Sequence, residues 1–238
     1  MTFKVALINT YIGSGGASSV VENLFEASSK NEKFQLKIYS KKKEFKNILS
    51  LVINKIINYF AGKQRGVLWN NSNVLFADKL EHIEGSDIIH MNWVADQYLN
   101  FDRIIKINKP IIWTAHDLWP VSGGCHIGYD CSSLEKNCNP CPLVNQLAQG
   151  WLVNENLLEK LKFIIESKVT IVSPSHYFKS IIERSNIGAN CDVVVIPNPV
   201  NDIFFDTPKT IIPESKVVNI GIVGMGLQRD KNKGADLL

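Results

Sequence analysis

WTAHDLWPVSGGCHIGYDCSSLEKNCNPCP, running from Trp113 to Pro142, begins inside the apolar run Pro110 to Ala115 and continues well past it. It holds four of the chain's five cysteines, two histidines, a His-Asp pair and a Gly-Gly turn. A loop this rich in reactive side chains at the end of an apolar strand places chemistry where a rigid scaffold meets solvent. That placement is typical of α/β folds with a parallel sheet, and the rest of the chain is read outward from it.

Short apolar and β-branched runs recur at Phe3 to Asn9, Phe34 to Ser40, Asp87 to Met91, Pro110 to Ala115, Val169 to Ser173, Asp192 to Ile196 and Val217 to Val223. Helical patterns lie between them at Ala17 to Ser29, Glu44 to Ala61, Phe101 to Ile107, Asn154 to Ser167 and Ser175 to Ser185, the last with Ser175 as N-cap after Pro174. Strands alternating with helices predict a Rossmann-like α/β domain, a parallel sheet with helices on both faces, over residues 1–197. A cysteine-rich loop at 117–142 interrupts it. The Pro-, Asn- and Asp-rich stretch 198–216 reads as an interdomain linker, and 217–238 as the first strand and helix start of a second, truncated domain.

Composition sets the class. With 238 residues and 45% hydrophobic content, the chain can bury one substantial core. No run of eighteen apolar residues and no signal-peptide pattern occur, so the expected compartment is the cytoplasm. There, clustered cysteines serve as metal ligands more often than as staples. The net charge of +3 conceals a basic window: residues 30–65 carry ten Lys and Arg against two Glu, a local charge of +8. Such a face suggests an anionic partner, but no recognised nucleic-acid motif accompanies it, and none is expected to bind there.

After the first strand comes Thr10-Tyr-Ile-Gly-Ser-Gly-Gly-Ala-Ser-Ser. Glycines at a helix N-terminus let a phosphate approach backbone N–H groups, although a plain tight turn explains them equally well. As a dinucleotide fingerprint the loop fails, because Ser18 stands at the third glycine position and Tyr39-Ser40-Lys41-Lys42 offers no acidic group for a ribose. NAD is therefore not expected.

The loop Gly13-Ser-Gly-Gly, the strand end Ile89-His90-Met91-Asn92-Trp93, the segment Trp113-Thr-Ala-His116-Asp117-x-Trp119-Pro120, the turn Gly123-Gly124-Cys125-His126 and the run Val195-Ile-Pro197-Asn198 together resemble one family. They are similar to the N-terminal half of a family 4 retaining glycosyltransferase of GT-B fold, on the colanic-acid or exopolysaccharide-type branch. The resemblance implies two Rossmann-like domains, the first holding the acceptor and the second a nucleotide-sugar. It implies transfer with retention to a polysaccharide or lipid-linked acceptor. It places His116 and Asp117 at the reacting sugar, Gly15, Gly16 and Lys233 at the donor diphosphate, and His90, Asn92 and Trp93 on the acceptor side. A bare loop-capping role for His116 and Asp117 is the alternative.

Departures from the family pattern are specific. Asn92 stands where this branch commonly has a second histidine, and Pro199 replaces the linker's glycine. The family's paired glutamates of the donor domain find no match, so the 238-residue chain by itself is expected not to turn over.

Cys125, Cys131, Cys138 and Cys141 are spaced to chelate, and four thiolates suit a closed tetrahedral structural zinc, with His126 as a substitute ligand. Disulfides, free thiols or an iron–sulfur cluster stay open. Phe45, Ile48, Leu49, Val52, Ile56 and Phe60 fall on one helical face within the lysine-flanked segment 41–65. That face either lies peripherally on the inner surface of the cell membrane or packs on the core. A competing function, a non-catalytic binding or assembly module built on a metal-fastened loop, is also compatible with the sequence.

Overall fold

The computed structural model describes residues 2–41, 45–63, 69–72, 80, 82–128, 131–206 and 221, the side chains of 45–48 and 50 excepted. The chain divides into two compact units, Met1–Pro199 and Val200–Leu238. Within the second unit Ile203–Asp206 forms a single helical turn inside the stretch read as a linker. The strand expected at Val217 to Val223 lies outside the described residues, apart from residue 221.

The first unit is built on a six-stranded sheet, entirely parallel, in the order β2-β1-β3-β4-β5-β6. The strands are β1 Phe3–Ile8, β2 Phe34–Tyr39, β3 Ile88–Met91, β4 Ile111–Thr114, β5 Thr170–Ser173 and β6 Asp192–Val195. Among the described residues the α-helices of the same unit are α1 Gly16–Ser29, α2 Phe45–Phe60, α3 Phe101–Ile107, α4 Glu155–Ser167 and α5 His176–Glu183. This is the α/β architecture that the alternating pattern implies, consistent with one Rossmann-like half of a GT-B fold.

Alternation along β1 shows why both sheet faces need cover. Ala6 and Ile8 enter the large core with Ile89, Met91, Ile111, Trp113 and Ile171, whereas Val5 and Leu7 join Val21 of α1 on the opposite side. An aromatic group fastens α3 and α4 to the large core: Phe101 stacks on Phe163 at 4.5 Å, and Trp113 meets Phe163 edge-on at 6.0 Å. Burying each such ring contributes roughly 1.5–3 kcal/mol.

Local signals set the helix ends. The side chain of Asn100 accepts from Arg103 N at 3.0 Å and that of Ser175 from Phe178 N at 3.1 Å, each cap stabilising by about 1 kcal/mol. At the C-terminal ends of α3 and α4, Asn108 and Lys168 take the left-handed conformation.

Sheet order decides where ligand can enter. The chain passes from β1 to β2 on one side and from β3 to β4 on the other, so the loops leaving the carboxyl ends of β1 and β3 part at a crevice. Thr10 and Trp93 border it, joined by a Thr10 N to Trp93 O bond of 2.7 Å.

Candidate active site at the strand carboxyl ends

The residues following β1, β3, β4 and β5 converge on one edge of the sheet. After β3, Asn92 is buried and fixed on its backbone: its N–H donates to Ile8 O at 2.8 Å and its carbonyl accepts from Trp113 Nε1 at 3.0 Å. Its side-chain oxygen lies 3.1 Å from His116 Nε2. Burial holds the His116 imidazole below its ordinary pKa, and the neighbouring Asp117 carboxylate partly opposes that shift. A neutral imidazole with one nitrogen tied to Asn92 keeps the other ring nitrogen for a hydroxyl or phosphate oxygen.

Asp117 is more heavily engaged. Its Oδ1 accepts from Trp119 N at 2.9 Å, and its Oδ2 accepts from Trp93 Nε1 at 2.8 Å and lies 2.6 Å from His126 Nδ1. Three donors on one carboxylate leave little capacity to take a substrate proton. The geometry makes Asp117 a group that positions its neighbours. His126 is buried, and its second nitrogen faces Asn70 Oδ1 at 2.7 Å. The imidazole stacks against Trp93 at 5.4 Å and Trp119 at 6.2 Å.

His116, Asp117 and His126 line a cavity of about 610 Å³ together with Leu118, Phe178, Ile181 and Tyr177. Arg184 and Glu135, both more than half exposed, pair at 3.2 Å on its lining. The volume suits a ligand of sugar size or larger.

His90 sits elsewhere. It belongs to the sheet face under α1, where it lines a smaller apolar cavity with Val5, Leu7, Leu24 and Ile112, and its Nε2 lies 2.8 Å from Thr114 Oγ1. Burial, with a smaller contribution from His116, pushes its pKa down to about 4. Of the three residues assigned to the acceptor side, Asn92 and Trp93 meet His116 and Asp117 directly, and His90 does so only through space.

The glycine loop is open. A Cβ added at Gly13, Gly15 or Gly16 would meet nothing within 4 Å, and no side chain caps α1 at Gly15. Gly13 N–H is taken internally by Ser18 Oγ at 2.8 Å and Glu22 Oε1 at 2.9 Å. Lys233 lies outside the described residues.

The cysteine-rich loop is fastened by polar groups that the sequence did not single out. Lys160, fully buried in α4, donates to Trp119 O at 2.6 Å and Ser122 O at 2.7 Å, and its ammonium stands 4.4 Å from the Trp119 ring centre. Asn156 donates to Gly123 O at 2.8 Å, while Gln149 accepts from Cys141 N at 2.7 Å and donates to Cys138 O at 3.1 Å. The Gly-Gly turn is a packing requirement. A Cβ at Gly123 would fall 2.4 Å from Val153 Cγ1, and one at Gly124, whose φ is +147°, would fall 2.2 Å from the Trp69 ring.

Among the described residues, which include Cys125, Cys131, Cys138 and Cys141, no three His, Cys, Asp or Glu side chains are grouped so as to hold a metal ion. His126 is engaged with Asp117 and Asn70. The thiols are close enough to disfavour one another's ionisation, and burial, the larger cause, raises Cys125 to about 12 and moves Cys138 and Cys141 in the same direction.

One signal for Lys160 was present in the sequence. It stands in the apolar stripe of α4 among Leu157, Phe163 and Ile164, where a lysine must find buried acceptors. Asn70 carried none, because its role depends on an isolated bridge between Trp69 and Cys125.

No family model matches this chain. Over 87 residues, a third of its length, the chain is 26% identical to a protein of Escherichia coli (strain K12) named as a colanic acid biosynthesis glycosyl transferase, WcaC. The match spans about a fifth of that relative, 21% of its length. The chain is thus a distant relative of a glycosyl transferase, carried on a parallel α/β sheet whose polar residues gather at the strand carboxyl ends.

Proposed function

We propose that this protein is a retaining glycosyltransferase that moves a sugar from a nucleotide-sugar to a glycan or lipid-linked acceptor. In this proposal the described unit forms the acceptor side. The observation that carries it is His116: a half-buried, pKa-lowered imidazole tied to Asn92 and opening on a cavity of about 610 Å³ at the carboxyl ends of parallel strands. His116 holds a hydroxyl or phosphate oxygen at the reacting sugar. Asp117 acts at one remove, holding Trp93 and His126 so that the cavity wall keeps its shape.

The open backbone at Gly15 and Gly16 lets an anionic diphosphate approach the start of α1, where the helix dipole favours negative charge. Positioning and charge stabilisation of the departing nucleoside diphosphate do the main work, with Lys233 assigned to the same diphosphate. The distant kinship with a glycosyl transferase supports this class.

The test is acceptor-dependent release of nucleoside diphosphate by the complete protein, supplied with UDP-, GDP- and ADP-sugars and a lipid extract as acceptor source. Release with at least one donor supports the proposal. No release with any donor, from a folded protein, overturns it.

A further inference from the structure

Helix α2 carries two apolar stripes where a surface helix needs one. The inner stripe is occupied: Ile57 packs on the cluster of Trp69, Cys138, Leu143 and Leu152, Asn54 accepts from Asn71 at 2.8 Å, and the helix end is held by Asn145 on Phe60 O at 2.9 Å. Leu49, Val52, Ile56 and Tyr59 follow one another at spacings of three and four on the other side, with Phe60 adjoining them. At 100° per residue this second stripe stands nearly opposite Asn54 and roughly a third of a turn from Ile57. Val52 is 46% exposed, Ile56 50%, Phe60 69% and Tyr59 80%. The core-facing alternative left by the sequence therefore fails for Leu49, Val52, Ile56 and Phe60, which point to solvent.

A contiguous exposed apolar stripe on a soluble domain marks a contact surface. Charge identifies what it contacts. Lys55 is exposed beside the stripe, and the sequence places Lys42, Lys43 and Lys46 around the start of the helix and Arg65 beyond its end, while Lys41 is bonded to Asp96 O. An apolar stripe bordered by cations matches a surface whose interior is hydrocarbon and whose headgroups are anionic. Among the described residues no helix is long and apolar enough to cross a membrane, so the mode is lying on it.

We propose that α2 docks the protein on an anionic phospholipid bilayer, with Leu49, Val52, Ile56, Tyr59 and Phe60 in the interface and Lys55 on the headgroups. This does not depend on the glycosyltransferase reading, because binding is measured without sugar or nucleotide.

The experiment is co-sedimentation of the complete protein with vesicles of phosphatidylcholine containing about 30 mol % phosphatidylserine, compared with phosphatidylcholine alone, at about 0.1 M and about 1 M salt. The expected result is binding to the anionic vesicles at low salt, weakened at least about tenfold by high salt or by omitting phosphatidylserine. Leu49→Gln, Val52→Gln and Ile56→Gln together should reduce it by at least about tenfold with an unchanged melting temperature, since their side chains are exposed. In a second variant, Lys55→Glu should weaken binding only to the anionic vesicles. Absence of binding by the parent protein, or equal binding by the folded triple variant, overturns the proposal. So does loss of self-association in the triple variant without vesicle binding in the parent, which would make the stripe an interface between copies.

Discussion

The imidazole of His126 lies 2.6 Å from the carboxylate of Asp117, nine residues away in sequence, between two tryptophan rings. This pair joins the loop after β4 to Trp93 after β3 and to Asn70, so it sets the shape of the cavity wall beside His116. Removing the carboxylate by Asp117→Ala leaves a buried imidazole and the Trp93 and Trp119 N–H groups without their acceptor. The expected cost is about 3 kcal/mol, read as a lower urea midpoint at unchanged slope. A change below about 0.5 kcal/mol would show that the pair does not hold the wall.

Acid stability depends on His90. The folded protein resists protonating this ring, with a pKa pushed down to about 4, while the unfolded chain takes the proton at the ordinary value of 6.5. Unfolded molecules therefore bind more protons between these values, and stability falls as pH drops from 6.5 towards 4. The group accounts for roughly 3 kcal/mol of that loss. His116, shifted in the same direction, adds to it. His90→Gln should flatten the decline of unfolding free energy over this range, and an unchanged slope would contradict the assignment.

Lys160 holds the cysteine-rich loop through two backbone carbonyls. Lys160→Met keeps the volume of the side chain but removes both donors, so the loop should open more often. Cys125 and Cys138, which lie close to the ammonium, should then react with a thiol-specific disulfide reagent at least about tenfold faster, equivalent to ~1.4 kcal/mol of opening free energy. Equal labelling rates would place the fastening elsewhere.

Gly124→Ala tests the turn. The new methyl group would meet the Trp69 ring in a backbone conformation that side chains rarely adopt, for an expected destabilisation of roughly 2–4 kcal/mol. Thermal unfolding measures it, and a variant as stable as the parent would show that Trp69 gives way.

The parallel sheet was legible because strands buried on both faces are continuous apolar runs, and every expected strand up to Asp192 lies in it within about a residue. Helix α2 was legible as a helix but not in its orientation, since its inner contacts come from Ala61, Trp69 and Leu152, spread over ninety residues of sequence. In the site, the His116-Asp117 dipeptide was visible, but its hydrogen-bond partners were not. Asn92 takes His116 while Trp93 and His126 occupy Asp117, contacts made only when β3 and β4 pair. The chelating spacing of the four cysteines was visible, whereas the hydrogen bonds that Lys160, Gln149 and Asn156 make to the same loop were not.

The most direct test compares the complete protein with its His116→Ala variant in acceptor-dependent sugar transfer. Loss of a preorganised hydrogen bond at the reacting centre predicts a fall of at least about a hundredfold in kcat with an unchanged melting temperature. Transfer within about threefold of the parent by a fully folded variant would contradict the placement of His116 at the reacting sugar.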